Sequence, residues 1–137
     1  NHLRDLPDVD PQRLALLGFS HGGWAALDSL ALAKPGQLDG LRAVAVLYPY
    51  CGAAASHRVG WSAPLPVLML LAGADRQVSR PACEDVARGQ IQRGRPIELH
   101  VYAGASHAFD AEAGAALAKD AQNRVQRFLA RTMNERR

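Results

Sequence analysis

The sequence predicts an α/β fold, with a mainly parallel sheet of about four strands flanked by helices. Three observations carry this reading. Short apolar runs alternate with amphipathic stretches along the 137 residues, the pattern of successive βα units. Gly and Pro punctuate the boundaries between them. The polar residues of chemical interest follow apolar runs, at the strand C-terminal ends where open α/β sheets place ligands.

Residues 1–12 are polar and carry Pro7 and Pro11, so they read as a tail or the end of a preceding element. Leu14 to Phe19 is a short apolar run that reads as a buried strand, ending at Ser20. Gly22 to Lys34 follows as a helix with Leu27, Leu30 and Leu32, and Pro35-Gly36 stops it. Leu41 to Tyr48 is a second strand closed by Pro49, and residues 51–65 read as loop. Pro66 to Ala72 is a third strand, followed by a polar loop from Gly73 to Ser79. Pro81 suits the first turn of a helix that runs to about Arg93. Pro96 to Tyr102 is a fourth strand in which Ile97, Leu99 and Val101 alternate. After a loop from Gly104 to Gly114, a last helix spans about Ala115 to Met133. Its residues Leu117, Ala121, Val125, Phe128, Leu129 and Thr132 share one face. Right-handed crossovers make the four strands neighbours.

Composition removes several function classes. Apolar residues make up 48% and charged residues 21%, which is ordinary for one globular domain and excludes wholesale disorder. The net charge is +3. Its basic residues are scattered except for Arg124, Arg127, Arg131, Arg136 and Arg137, which fit a solvated helix face that complements the dipole. With no aromatic interleaving and no recognition motif, no nucleic-acid partner is expected. The longest apolar run, Val67 to Ala72, is far short of the roughly 20 residues of a membrane span, so no membrane partner is expected either. The start, Asn1-His2-Leu3-Arg4-Asp5, does not read as a signal peptide. There is no zinc-ligand spacing, phosphate loop or dinucleotide fingerprint, so no metal or cofactor is expected.

The strongest chemical signal is Gly18-Phe19-Ser20-His21-Gly22, a G-x-S-x-G match between an apolar run and a helix. A sharp strand-to-helix turn strains the backbone at Ser20 and lifts its hydroxyl out of the sheet. Gly at positions 18 and 22 is expected to avoid a side-chain collision across the turn, and Gly23 to let the helix pack closely. The His21 N–H is expected to face a developing oxyanion, aided by the helix dipole.

A neutral serine needs a positioned base. Of five histidines, His2 lies in the tail, His21 adjoins Ser20 with its ring directed away, His57 lies in a loop and His100 lies inside a strand. His107, in the loop after the fourth strand, can reach back across the strand ends. Asp75 follows the third strand and is the expected acid that fixes the His107 tautomer. Asp110 is the rival, three residues from His107 and better suited to tethering its own loop. Asp85 falls within a helix.

The chain resembles the dienelactone hydrolase family of α/β-hydrolases. The resembling residues are Gly18-Phe19-Ser20-His21-Gly22-Gly23, Tyr48-Pro49, Pro66 through Gly73 and Asp75, and Tyr102-Ala103-Gly104 through Asp110. The order Ser20, Asp75, His107 is that of α/β-hydrolases. The resemblance implies cleavage of carboxylic esters or lactones, small-molecule substrates, through an acyl-enzyme. Dienelactone hydrolase itself carries Cys where Ser20 stands, whereas many relatives use Ser. The family also places several strands before the elbow, and here about 13 residues precede the first strand. The chain, which does not begin with Met, is therefore expected to be a partial α/β-hydrolase fold, residues 1–137 forming the C-terminal half of the domain. Its first strand would then expose an edge open to pairing with other polypeptide.

Cys51 and Cys83 follow the second and third strands and are either bonded or free thiols. A bond argues for a periplasmic or secreted home, and free thiols leave a cytoplasmic one as the default. Trp24, Tyr50 and Trp61 either line an acyl pocket or pack beside the elbow. The favoured reading is a serine esterase. A peptidase related to prolyl oligopeptidases and a non-catalytic fragment are the alternatives.

Overall fold

The computed structural model describes residues 2–111 and 115–134. Asn1, Gly114, Arg136 and Arg137 of the reading above lie outside them. The elements run β1 (Leu14–Phe19), α1 (His21–Leu32), β2 (Leu41–Leu47), β3 (Val67–Ala72), α2 (Arg80–Gln92), β4 (Ile97–Tyr102) and α3 (Ala116–Asn134), with short 3-10 turns at His2–Asp5 and Ser56–Val59. The strands form one parallel sheet in the order β1-β2-β3-β4. Helix α1 ends at Leu32 because Ala33 turns extended ahead of Pro35. Strand β2 ends at Leu47 because Tyr48 turns to φ 39°.

The period of two along each strand divides the core into layers. Val44, Val46, Val67, Met69 and Leu71 pack with Leu27 and Leu30 of α1 and Val86 and Ala87 of α2. Ala43, Ala45, Leu68, Leu70 and Ala72 pack with Ala121 and Phe128 of α3 on the other face. Leu117, in the first turn of α3, is exposed, so the buried stripe of that helix begins at Ala121.

Strand β1 departs from the buried strand its composition predicts. It has one neighbour, β2, and forms the edge of the sheet. Leu16, Leu17 and Phe19 are 37%, 48% and 42% exposed. Leu17 and Phe19 border an apolar groove of about 560 Å³ whose far wall includes Val125 and Leu129 of α3. Apolar composition resembles burial in sequence, but only a second neighbouring strand and a covering layer can supply it.

Cys51 and Cys83 form a disulfide that ties the segment after β2 to α2 across 32 residues, with both cysteines fully buried. Among the described residues no helix is long and apolar enough to cross a membrane. A loop of this size is expected to contribute about 3–4 kcal/mol by restricting the unfolded chain. The double substitution Cys51→Ala with Cys83→Ala should lower the unfolding free energy by that amount in urea titrations. An unchanged midpoint would show that the bond adds nothing beyond the packing around it.

Candidate functional site

Ser20 sits between the end of β1 and the start of α1 with φ 49° and ψ −115°. Such a conformation costs a non-glycine residue on the order of 1–3 kcal/mol. Backbone bonds hold it from both sides. The Ser20 N–H donates to the Leu47 carbonyl at 3.0 Å, and its carbonyl accepts from the Trp24 N–H at 3.0 Å. Ser20 occupies the N-cap position of α1, yet its hydroxyl makes no cap bond. Its Oγ lies 2.8 Å from His107 Nε2.

The turn is tight at one glycine in particular. A Cβ on Gly18 would fall 2.5 Å from the Gly22 carbonyl oxygen and 2.8 Å from the Gly23 Cα. One on Gly23 would meet the Pro49 Cβ at 2.9 Å. Gly22 differs from expectation, since a Cβ there meets nothing within 4 Å. The crowding across the elbow runs from position 18 into the backbone of Gly22, so it constrains the side chain of the first residue and not that of the second.

The other two residues arrive on neighbouring loops. Gly73 permits this, because a Cβ there would lie 2.6 Å from the Tyr102 carbonyl oxygen. The Gly73 N–H donates to that oxygen and the Ala74 N–H donates to the Ala105 carbonyl, each at 2.8 Å. The loops after β3 and β4 thus run side by side, and Asp75 Oδ2 comes 2.8 Å from His107 Nδ1. Asp75 Oδ1 accepts from the N–H groups of Gln77 at 2.8 Å and Val78 at 3.1 Å. Its side chain is 1% exposed. Burial acts to raise the Asp75 pKa, but hydrogen bonds from His107, Gln77 and Val78 outweigh it and hold the carboxyl below its ordinary value. An ionised carboxylate only accepts, so neutral His107 carries its proton on Nδ1 and offers Nε2 to the Ser20 hydroxyl.

The His21 N–H opens α1 and has no hydrogen-bond partner among the described residues. The His21 ring is exposed and packs on the edge of Trp24 at 5.1 Å. Trp24 in turn lies 4.7 Å from Tyr50, so these two rings stand beside the elbow. Trp61 is buried in the α1 and α2 layer and is a packing residue. The His100 and Tyr102 rings meet edge-on, with centroids 4.5 Å apart. Asp85 pairs with Arg88 on α2. Among the described residues no group of three or more His, Cys, Asp or Glu is placed to hold a metal ion.

Two networks escape a sequence reading. His57 is fully buried, its Nδ1 2.7 Å from Asp28 Oδ1. Burial lowers its pKa against the opposing pull of Asp28. Trp24 Nε1 also donates to Asp28, at 2.7 Å, so this second His–Asp pair ties α1 to the loop after β2. Asp110 does not approach His107 Nδ1. It accepts from the Tyr48 hydroxyl at 2.5 Å. The only local signal for Tyr48 is its position at a strand end before Pro49.

The profile of the dienelactone hydrolase family matches residues 1–135. This chain belongs to the dienelactone hydrolase family. No curated protein matches it. Among solved structures it is similar to Thermogutta terrifontis esterase 2 phosphorylated by paraoxon, with a TM-score of 0.71 and 18% identity over 90% of this chain and 55% of that one. A Klebsiella pneumoniae protein described as a candidate dienelactone hydrolase matches with a TM-score of 0.70 and 25% identity, over 88% of this chain and 53% of that one. Porphyromonas gingivalis dipeptidyl peptidase 4 matches with a TM-score of 0.73 and 18% identity, over 93% of this chain and 21% of that one. The present family member therefore spans little more than half of the first two structures and a fifth of the third.

Two predictions follow from this geometry. Gly18→Ala is expected to cost about 1–3 kcal/mol or more, because backbone atoms must move, whereas Gly22→Ala should be neutral or slightly stabilising. Thermal melts of the two variants compare them directly, and equal losses would contradict the crowding described. Asp75 is held below its ordinary pKa, so its contribution is complete above the unfolded value of about 3.9 and disappears as the pH falls through the folded value. Acid unfolding of Asp75→Asn should lack that part of the pH dependence, and an identical acid limb would remove Asp75 as its source.

Proposed function

We propose that this chain supplies the nucleophile, base and acid of a serine hydrolase that cleaves carboxylic esters or lactones through an acyl-enzyme. The observation that carries this reading is the unbroken chain of hydrogen bonds from Ser20 through His107 to Asp75, at 2.8 Å in each link, with Ser20 on a strained elbow. Ser20 Oγ attacks the carbonyl carbon while its proton passes to His107 Nε2. The resulting imidazolium is stabilised through its Nδ1–H by Asp75. The tetrahedral oxyanion faces the His21 N–H at the positive end of α1, a donor of a kind worth about 3–4 kcal/mol in acyl transfer. Collapse expels the alcohol, which takes the proton from Nε2 and leaves the acyl group on Ser20. Water then attacks with His107 as base, the acid departs, and Ser20 regains its proton. No metal or organic cofactor enters these steps.

Further features support related assignments. The unpaired edge of β1 and the apolar groove beside it are suited to pairing with more polypeptide, and residues 1–137 then act as the C-terminal half of a larger domain. The buried Cys51–Cys83 bond favours an oxidising compartment.

Paraoxon provides the test, because Ser20 attack on it releases 4-nitrophenol and leaves a stable phosphoryl adduct. One adduct per chain by intact mass, absent from Ser20→Ala, is expected. Asp75→Asn should slow its formation by roughly 10⁴-fold. An adduct that persists in Ser20→Ala, or no adduct in the unaltered chain, would count against the assignment and favour a non-catalytic fragment. Parallel assays with 4-nitrophenyl esters and dipeptide anilides then separate an esterase from a peptidase.

A further inference from the structure

Tyr48 touches the His107 loop at three residues, and the reaction outlined above gives it no role. It follows β2 directly with φ 39°, a left-handed conformation that strains a non-glycine residue. Its N–H donates to the Leu70 carbonyl at 2.8 Å, which fixes its backbone against β3. Its buried ring lies 4.7 Å from the His107 ring and 5.6 Å from that of Phe109. Its hydroxyl donates to Asp110 Oδ1 at 2.5 Å. The loop between these contacts is itself strained, with Ala108 at φ 58°.

A histidine on such a loop draws little orientation from its own backbone, since loops are the mobile parts of folds. Proton transfer nevertheless asks for placement within about 0.5 Å and 10–20°. Asp75 and Ser20 each hold one nitrogen at the rim of the ring, and Tyr48 adds a ring contact. The Tyr48 ring lies against the imidazole, and the Asp110 bond prevents the phenol from swinging away. We propose that Tyr48, tethered by Asp110, is a positioning residue that holds the His107 imidazole at the angle from which Nε2 meets Ser20 and Nδ1 meets Asp75. This rests on the reading of Ser20, His107 and Asp75 given above. Burial and the negative charges of Asp110 and Asp75 push the phenol pKa far up, so Tyr48 remains a donor. With its one proton committed to Asp110, it acts through His107 and not on the substrate.

The test pairs a spectroscopic readout with a kinetic one. In protein labelled with ¹⁵N-histidine, the His107 nitrogens are expected to report a single Nδ1–H tautomer. Tyr48→Phe, which keeps the ring and removes the hydroxyl, should give a mixture of tautomers, and so should Asp110→Ala. Asp110→Asn retains an acceptor and should fall between Asp110→Ala and the unaltered protein. The double variant Tyr48→Phe with Asp110→Ala should be no worse than either single one, because both remove the same bond. The maximal rate of Ser20 phosphorylation by paraoxon should fall roughly tenfold or more in Tyr48→Phe, with the half-saturating concentration unchanged. Unchanged His107 signals in a folded Tyr48→Phe would overturn the proposal. So would a slower reaction without a change in those signals, which would put Tyr48 against the reacting atoms. If Ser20 of the unaltered protein does not react, the hydrolase reading fails by itself, and the nitrogen spectra still decide whether Tyr48 sets the imidazole. Should Tyr48→Phe not fold, the same measurements on Asp110→Ala decide.

Discussion

The parallel register of the sheet is the constraint on which the site depends. Phe19 pairs with Leu47, Leu47 with Leu70, and Ala72 with Tyr102, so the strands finish almost level with one another. Ser20 and Tyr48 therefore leave the sheet at the same height, and Asp75 and His107 follow a few residues later. Backbone strain concentrates there. Among the described residues Ser20, Tyr48 and Ala108 are the non-glycine residues with positive φ, and each lies in or beside this cluster. A sheet packed on both faces can hold such conformations, since the surrounding core over-determines the turns.

Charge at the site is distributed by geometry and not by residue type. Asp75, Asp28 and Asp110 each bind a ring-bearing partner, yet the three do different things. Asp75 is nearly inaccessible, receives two backbone N–H groups, and faces a histidine whose far nitrogen meets a hydroxyl. Asp28 holds His57, which is sealed in the core, and also binds Trp24, so that pair braces α1. Asp110 is occupied by Tyr48. Only the first arrangement links a carboxylate, an imidazole and a serine hydroxyl in one chain of hydrogen bonds.

The site is built from one side. The loops after β2, β3 and β4 close it with hydrogen bonds and tilted or edge-on ring contacts, while its flank along β1 is open. Phe19, adjacent to Ser20, is exposed, and the Cβ direction of Gly22 meets empty space. The described residues thus bring Ser20, His107 and Asp75 together but do not enclose the volume beside β1. The chain spans little more than half of the esterase and candidate dienelactone hydrolase structures it resembles.

Much of this was legible in the linear sequence, because it depends on neighbours within a few residues. The alternation of strands and helices, the Pro and Gly stops, the elbow at Ser20 and the apolar stripe of the last helix, apart from its exposed first member Leu117, all follow from local sterics and periodicity. Tertiary structure supplied the contacts between distant residues, including those of Ser20, Asp75 and His107 that their places after strands already suggest. The pairing of Asp75 with His107 spans 32 residues, that of Tyr48 with Asp110 spans 62, and that of Ser20 with His107 spans 87. It alone decided that the apolar side chains Leu16, Leu17 and Phe19 of β1 are exposed, that His57 and Trp61 are buried, and that the cysteines are bonded. Burial and hydrogen-bond partnership are properties of the packed layers, so a residue's own chemistry states what it can do, and its distant neighbours determine what it does.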